Sequence, residues 1–439
     1  MSRSLKICIG DRGIEVGTLR FEARGNREFS TFQYDEAWIS NPRGFALAPS
    51  VPLNANQYFF RKEGDHTSPL PPFLADTTPD SWGRNIIRRD ARENRTDTTP
   101  LNELDYLLAV DDFSRLGALR IREDVADAPF MSKEPSGRHE IPPLLQLDQL
   151  GKTIASLEKQ DPQSAAALKR LRQVGSALGG ARPKCSVIDT NGTLLIAKFT
   201  SIHDTYNVER AEVLTLNLAQ LSGINAPSAR LDMSADLPVA LIQRFDRTTA
   251  GRIPYISAQT MLEAPDATSG TYIQLAEAIR QHSDDPKRDL TELFRRVGFT
   301  ILVSNVDDHL KNHGFLYNGN NQWRLSHVFD VNPAPERHRE LKTPISEFSG
   351  PEASIEALIE HAEFFDLSED TASDIVHSTA RTIADSWEPL AQKLGLDRED
   401  VRTYRPAFEH NEMDKALALG AAHAPGHDVE ADIDHSPSP

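Results

Sequence analysis

The stretch SNVDDHLKNHGFL, residues 304–316, followed eighteen residues after Asn312 by Asp330 in HVFDVNPAP, decides how this chain is read. Asp307, Asp308, His309 and Asn312 fall on one short turn between apolar runs, so a single loop can present the Asp307 carboxylate and the Asn312 amide to one point, with His309 orienting the loop. The spacing predicts that Asp330 returns there on a neighbouring strand. A carboxylate that takes the proton of an attacking hydroxyl, with an amide and a second carboxylate holding a divalent cation on phosphate oxygens, is the residue set of a phosphoryl-transfer centre. Such a centre needs little beyond positioning and charge neutralisation. Asp307 is therefore the candidate base, and Asn312 and Asp330 are the candidate magnesium ligands. Taken alone, an Asp-rich segment of this kind also fits a capped helix end or a solvated turn.

A second element stands upstream: Gly175, Gly179 and Gly180 in GSALGGARPK, then TLLIAKF carrying Lys198. Glycine permits positive φ and lets peptide N–H groups approach phosphate oxygens with no Cβ in the way. Lys198 adds charge. Neither G-x-G-x-x-G nor G-x-x-x-x-G-K-[ST] is present, and a strand lysine by itself usually snorkels to solvent. The chain order of glycine loop, strand lysine, helix, D-x4-N and a later Asp is what carries the reading, because it is the order of a kinase.

Composition limits the alternatives. A formal net charge of -17 argues against a protein that grips nucleic acid with its own surface, since phosphate binding needs concentrated Lys and Arg. The basic run RNIIRRDAREN (84–94) reads as one helix face. Cys8 and Cys185 are the only cysteines, which leaves neither a disulfide framework nor a cysteine zinc site and suits a reducing cytosol. LKICIG is too short for a signal segment, and no run approaches a membrane span, so a cytoplasmic protein with no membrane partner is expected.

The expected fold class is α+β: a protein-kinase-like two-lobed body with a β-rich N-terminal subdomain and a mostly helical C-terminal lobe. Strand-like runs at LKICIG, EVGTLRF, REFSTFQY, FALAP and LGALRIRED place the N-terminal subdomain at 1–123. Residues 124–143, rich in Pro, Asp, Ser and Gly, read as a linker. The small lobe, with glycine loop and hinge, spans 144–247 and includes a helix over SAAALKRLRQV (164–174). The helical lobe with the catalytic loop spans 248–420, and 421–439 reads as a disordered tail.

With these motifs in view the chain resembles the HipA family of toxin–antitoxin serine/threonine kinases. PDSWGR (79–84), LGALRI (116–121), GGARPK (179–184), QRFDR (243–247), SNVDDHLKNHGFL and FDVNPAP stand in family order over about residues 5–420. The resemblance implies a kinase that uses ATP and magnesium to phosphorylate serine on a protein target and arrest growth. It implies Asp307 as base, with His309 stabilising the loop. Asn312 and Asp330 hold magnesium, while Gly179, Gly180, Ala181, Lys184 and Lys198 attend the phosphates. The backbone of Gln243 and Phe245 meets adenine, and Glu212 pairs with Lys198, with Glu209 its competitor for that role. Family members often carry an autophosphorylated serine in the glycine loop. Alignment on GGARPK puts Ala177 there, and Ser176, one residue earlier, is the candidate. Partners implied are a small helix-turn-helix antitoxin, through which alone DNA is reached, and a protein substrate. An aminoacyl-tRNA synthetase is the target of some members, and nothing in this sequence selects one. Two competing readings remain: a small-molecule phosphotransferase, from the D-x-H-x-x-N pattern, and a catalytically silent partner of a DNA-binding antitoxin.

Overall fold

The computed structural model describes residues 2–25, 27–62, 67–94, 99–131, 141–159, 171–172, 175, 179–336 and 339–421. Ser176 and Ala177, most of the helix expected over 164–174, the middle of the linker and the tail beyond 421 lie outside the described residues.

The N-terminal alternation yields an antiparallel sheet. Strands β1 (Ser2–Ile9), β2 (Ile14–Arg24) and β3 (Arg27–Tyr34) form a meander that β4 (Gln57–Arg61) and β5 (Leu119–Glu123) complete, in the order β4-β3-β2-β1-β5. Leu5, Ile7 and Ile9 turn one face of β1 into the core, as the two-residue strand period requires. FALAP, expected as a strand, is a turn with one isolated bridge from Ala48 to Val51, and its Pro49 cannot donate to a ladder. The edge strand is QYFFR instead, whose Phe59 is exposed and stacks on Phe29. At the start of the expected linker the chain folds back, with Met131 N–H donating to Ile121 O at 2.7 Å and Phe130 lying under the Arg120 guanidinium.

The second sheet holds β6 (Lys184–Ile188), β7 (Leu194–Phe199), β8 (Ala229–Ser234) and β9 (Leu237–Gln243), antiparallel in the order β6-β7-β9-β8. Its apolar face packs Cys185, Leu195, Phe199 and Leu241 against Leu150 and Ile154 of the helix Leu147–Glu158. Trp82 and Ile86, from the helix Ser81–Asn94 of the N-terminal region, join the same cluster. The two regions therefore share a core.

The signature QRFDR binds them again, through side chains. Asp246 is buried and accepts from Arg244 Nε at 2.7 Å, Arg247 Nη1 at 2.7 Å and the Gly117 N–H of LGALRI at 2.7 Å. Arg244 and Arg247 also donate to the carbonyls of Ser114 and Arg115. Burial opposes charge on Asp246, but the two guanidinium groups outweigh it and hold the carboxyl well below its ordinary range.

A short hairpin, β10 (Arg247–Thr248) with β11 (Gly251–Arg252), leads into a third sheet of β12 (Tyr255–Ser257), β13 (Gly314–Gly319) and β14 (Gln322–Leu325). Gly314 is required where β13 meets β12, since a Cβ there would stand 2.2 Å from the Tyr255 ring. The rest of the described chain is mostly helical, dominated by Pro286–Leu302 and Glu369–Lys393, apart from irregular chain over 326–354. No helix among the described residues is long and apolar enough to cross a membrane.

Candidate active site

β7 alternation and the helix Val208–Leu221 bring two charges together beneath the glycine segment. Lys198 Nζ donates to Glu212 Oε1 at 2.5 Å and to Asp330 Oδ1 at 2.7 Å. Burial would lower the Lys198 ammonium's pKa, but the two carboxylates outweigh it and raise it above its ordinary value. Lys198 in turn holds Asp330 well below the usual carboxylate range against an opposing effect of burial. For Glu212 burial prevails, and its carboxyl is raised despite Lys198. Glu209 is committed elsewhere, accepting from Arg182 Nη2 at 2.8 Å and from Thr200 Oγ1 at 3.1 Å. Glu212 is therefore the partner of Lys198, and the choice left open by sequence is closed.

The helix Pro286–Leu302 delivers the chain to the Asp307 loop through Ser304, whose φ of +55° begins the turn. Asp308 anchors this loop from inside: it is buried and accepts from Tyr272 Oη at 2.6 Å and Thr300 Oγ1 at 3.3 Å, with His313 Nε2 at 3.1 Å. Asn312 Nδ2 donates to Asp307 O at 3.1 Å, which closes the loop and leaves its amide oxygen for a ligand. The Asp307 carboxylate is exposed, and the residue does not line the cavity. Asp330 lies in irregular chain after β14 rather than on a strand, in the left-handed region at φ +57°, a conformation that Asp tolerates better than bulkier residues.

One cavity joins these elements. Its lining includes Gly179, Gly180, Lys184, Lys198, Glu212, Gln243, Phe245, His309, Asn312 and Asp330. Lys184 donates to Gly179 O at 2.5 Å, and burial, aided by Lys198, pushes its pKa down to about 8. Ala181 lies apart, in a different cleft beside Arg88 and Arg182. Gln243 N–H donates to Ser228 O at 2.9 Å, so at this position only the carbonyl is left for a base. Phe245 stacks on His327 and lies 5.5 Å from Phe329, giving that end of the cavity an aromatic wall.

Sequence reasoning missed the wall supplied by the N-terminal region. Asp76 and Asp80 line the cavity together with Lys311 of the Asp307 loop. Asp76 accepts from Ser257 N–H and Oγ–H, both at 2.7 Å, and burial raises its pKa. PDSWGR, read only as a signature, places Asp80 against Gly180 and Lys311.

Two lobes closing on a cavity that holds a lysine–glutamate–aspartate cluster and a D-x4-N loop define a kinase-like body. Family comparison agrees: the HipA N-terminal domain model matches residues 5–122 and the HipA-like C-terminal domain model residues 176–387. The chain belongs to the HipA family. A Haemophilus influenzae protein provisionally named a kinase is 36% identical over 69 residues, 15% of this chain and 20% of that protein. A Sinorhizobium fredii protein, likewise provisionally named, is 25% identical over 240 residues, 50% of this chain and 54% of its own. The chain thus spans about half or less of the length of these curated relatives. HipA of a Shewanella oneidensis MR-1 toxin–antitoxin system, solved with HipB and operator DNA, shares the fold. The match has a TM-score of 0.66 over 94% of this chain and 96% of that one, at 15% identity.

Proposed function

We propose that this chain is a cytoplasmic serine/threonine protein kinase, the toxin of a toxin–antitoxin pair, which transfers the γ-phosphoryl group of ATP to a serine of a protein target and arrests growth. The observation that carries this reading is the Lys198–Glu212–Asp330 cluster, which faces Asn312, His309 and the glycine segment across one cavity. Phe245 and Phe329, tilted 39° to one another, offer an apolar surface for adenine in the cavity that Gln243 also lines. Gly179 and Gly180 bring backbone close to the phosphates, and Lys198, positioned by Glu212, carries the charge that binds them.

The residues suit magnesium. Asn312 and Asp330, both on the cavity, supply an amide oxygen and a carboxylate. That matches an ion held by one or two protein ligands and by the substrate's phosphates. When bound, magnesium would neutralise phosphate charge. His309 Nδ1 is buried without a hydrogen-bond partner, a polar atom that a bound ligand can satisfy. Asp307 takes the proton of the incoming serine hydroxyl. Its exposure suits a nucleophile presented by another protein better than one enclosed in the cavity.

A neighbour solved with HipB and operator DNA supports a small helix-turn-helix antitoxin as partner, with DNA reached only through it. An aminoacyl-tRNA synthetase is the first target class to examine. Ser176 is the proposed inhibitory autophosphorylation site, and phosphopeptide mapping after incubation with ATP tests it. The primary experiment incubates the purified chain with labelled ATP and magnesium in host lysate, comparing wild type with Asp307→Gln. A labelled protein band lost in the variant is the expected result, and labelling undiminished by the substitution refutes the assignment.

A further inference from the structure

Asp80 belongs to the N-terminal region, yet it touches both working loops of the body. Its Oδ2 accepts the Gly180 N–H at 2.8 Å, and its Oδ1 accepts Lys311 Nζ at 3.2 Å. Gly180 lies in the phosphate cover, and Lys311 lies between Asp307 and Asn312. Two further bonds run alongside: Trp82 N–H donates to Gly180 O at 3.3 Å, and Trp82 Nε1 donates to Lys184 O at 3.0 Å. Gly179 is fitted to this contact, because a Cβ there would stand 2.9 Å from Asp80 Oδ2. Gly180 is fitted too, at a φ of +88° that side chains rarely adopt.

Both donors that Asp80 engages are of the kind that bind phosphate: a glycine N–H and a catalytic-loop ammonium. Two opposite roles follow. A carboxylate standing in for phosphate would compete with nucleotide, whereas a carboxylate that ties cover to loop would form the cradle before nucleotide arrives. The second fits the surroundings. Lys198 and Lys184 remain beside the cavity, and Trp82 draws the same segment in the same direction from a buried anchor. Forming the binding-competent arrangement in advance removes the population penalty that a loose loop imposes on affinity.

We infer that Asp80 is a positioning residue, a tether from the N-terminal subdomain that holds Gly179 and Gly180 against the catalytic loop in the free protein. Its catalytic meaning rests on the kinase reading above, but the tether itself can be measured without it. The full chain is compared with Asp80→Ala and Asp80→Asn by amide hydrogen exchange without nucleotide, and by equilibrium binding of ATP with magnesium. In Asp80→Ala, exchange across 179–184 accelerates about tenfold while the helical lobe is unchanged. The dissociation constant for ATP rises about tenfold, the change that one charge-assisted hydrogen bond carries. Asp80→Asn keeps an acceptor for Gly180 but loses the charge facing Lys311, and falls between wild type and Asp80→Ala in both readouts. Unchanged exchange in Asp80→Ala overturns the tether, and tighter ATP binding overturns it in favour of competition. Faster exchange in Asp80→Ala, with wild type that binds no ATP, sustains the tether and refutes the kinase reading instead.

Discussion

Replacing Asp246 by Ala should be among the most costly single changes in this chain. The carboxylate is 1% exposed and neutralises Arg244, itself 3% exposed, and Arg247. Its removal leaves the Arg244 bond to Ser114 O and the Arg247 bond to Arg115 O in place, so neither guanidinium can easily turn to water. Breaking a buried pair in this way costs about 3–5 kcal/mol, a large part of the roughly 5–15 kcal/mol that holds a domain together. Urea unfolding followed by tryptophan fluorescence measures the loss as a lower midpoint at similar slope. Asp246→Asn, which retains an acceptor, should lose less. The pH dependence has a definite sign. Because folding depresses the Asp246 pKa, its contribution is present above the unfolded value of about 3.9 and is lost as pH falls from there toward the folded value. The gap between wild type and Asp246→Ala should therefore narrow below about pH 4. A loss under about 1 kcal/mol at pH 7 would refute the reasoning.

Three further outcomes are expected. Asp307→Gln should keep the fold, by circular dichroism, and reduce phosphorylation at least about 100-fold through loss of the proposed general base. Glu212→Gln should reduce turnover about tenfold or more, since Lys198 is then held by Asp330 alone and is no longer fixed for the phosphates. Steady-state kinetics at saturating ATP tests this. Lys184 has its pKa lowered to about 8, so ATP affinity should fall as pH rises above that value while Lys184→Gln stays flat. Isothermal calorimetry from pH 7 to 9.5 would show parallel profiles if Lys184 plays no part.

Local spacing made the candidate residues legible, and long-range pairing hid their supports. Asp307 and Asn312 share one turn, and Lys198 sits on a strand directly after a glycine segment, so their order along the chain was enough to propose them. Glu209 and Glu212 lie three residues apart on one helix, and Arg182 and Thr200, 27 and nine residues before Glu209, decide which is free for Lys198. Asp80 meets Gly180 across 100 residues and Lys311 across 231, separations that no periodicity reports. QRFDR follows the last strand of the second sheet and leaves it, the place expected of a hinge. Its charged side chains serve a buried knot about 130 residues away from their partners. β4 escaped because an edge strand that exposes a phenylalanine lacks the apolar alternation by which strands are recognised.

The seating of Trp82 and Ile86 under the β6–β9 sheet has a consequence for how the chain is made. The helix that carries them leaves the ribosome about 150 residues before Gln243 closes that sheet. At synthesis rates of about 5–20 residues per second, its apolar face waits on the order of ten seconds for its partner. During that interval the nascent N-terminal portion presents an indole and an isoleucine to solvent. A chain that stops within the linker would carry this helix without the sheet that covers it, so residues 1–123 are not a self-contained packing unit.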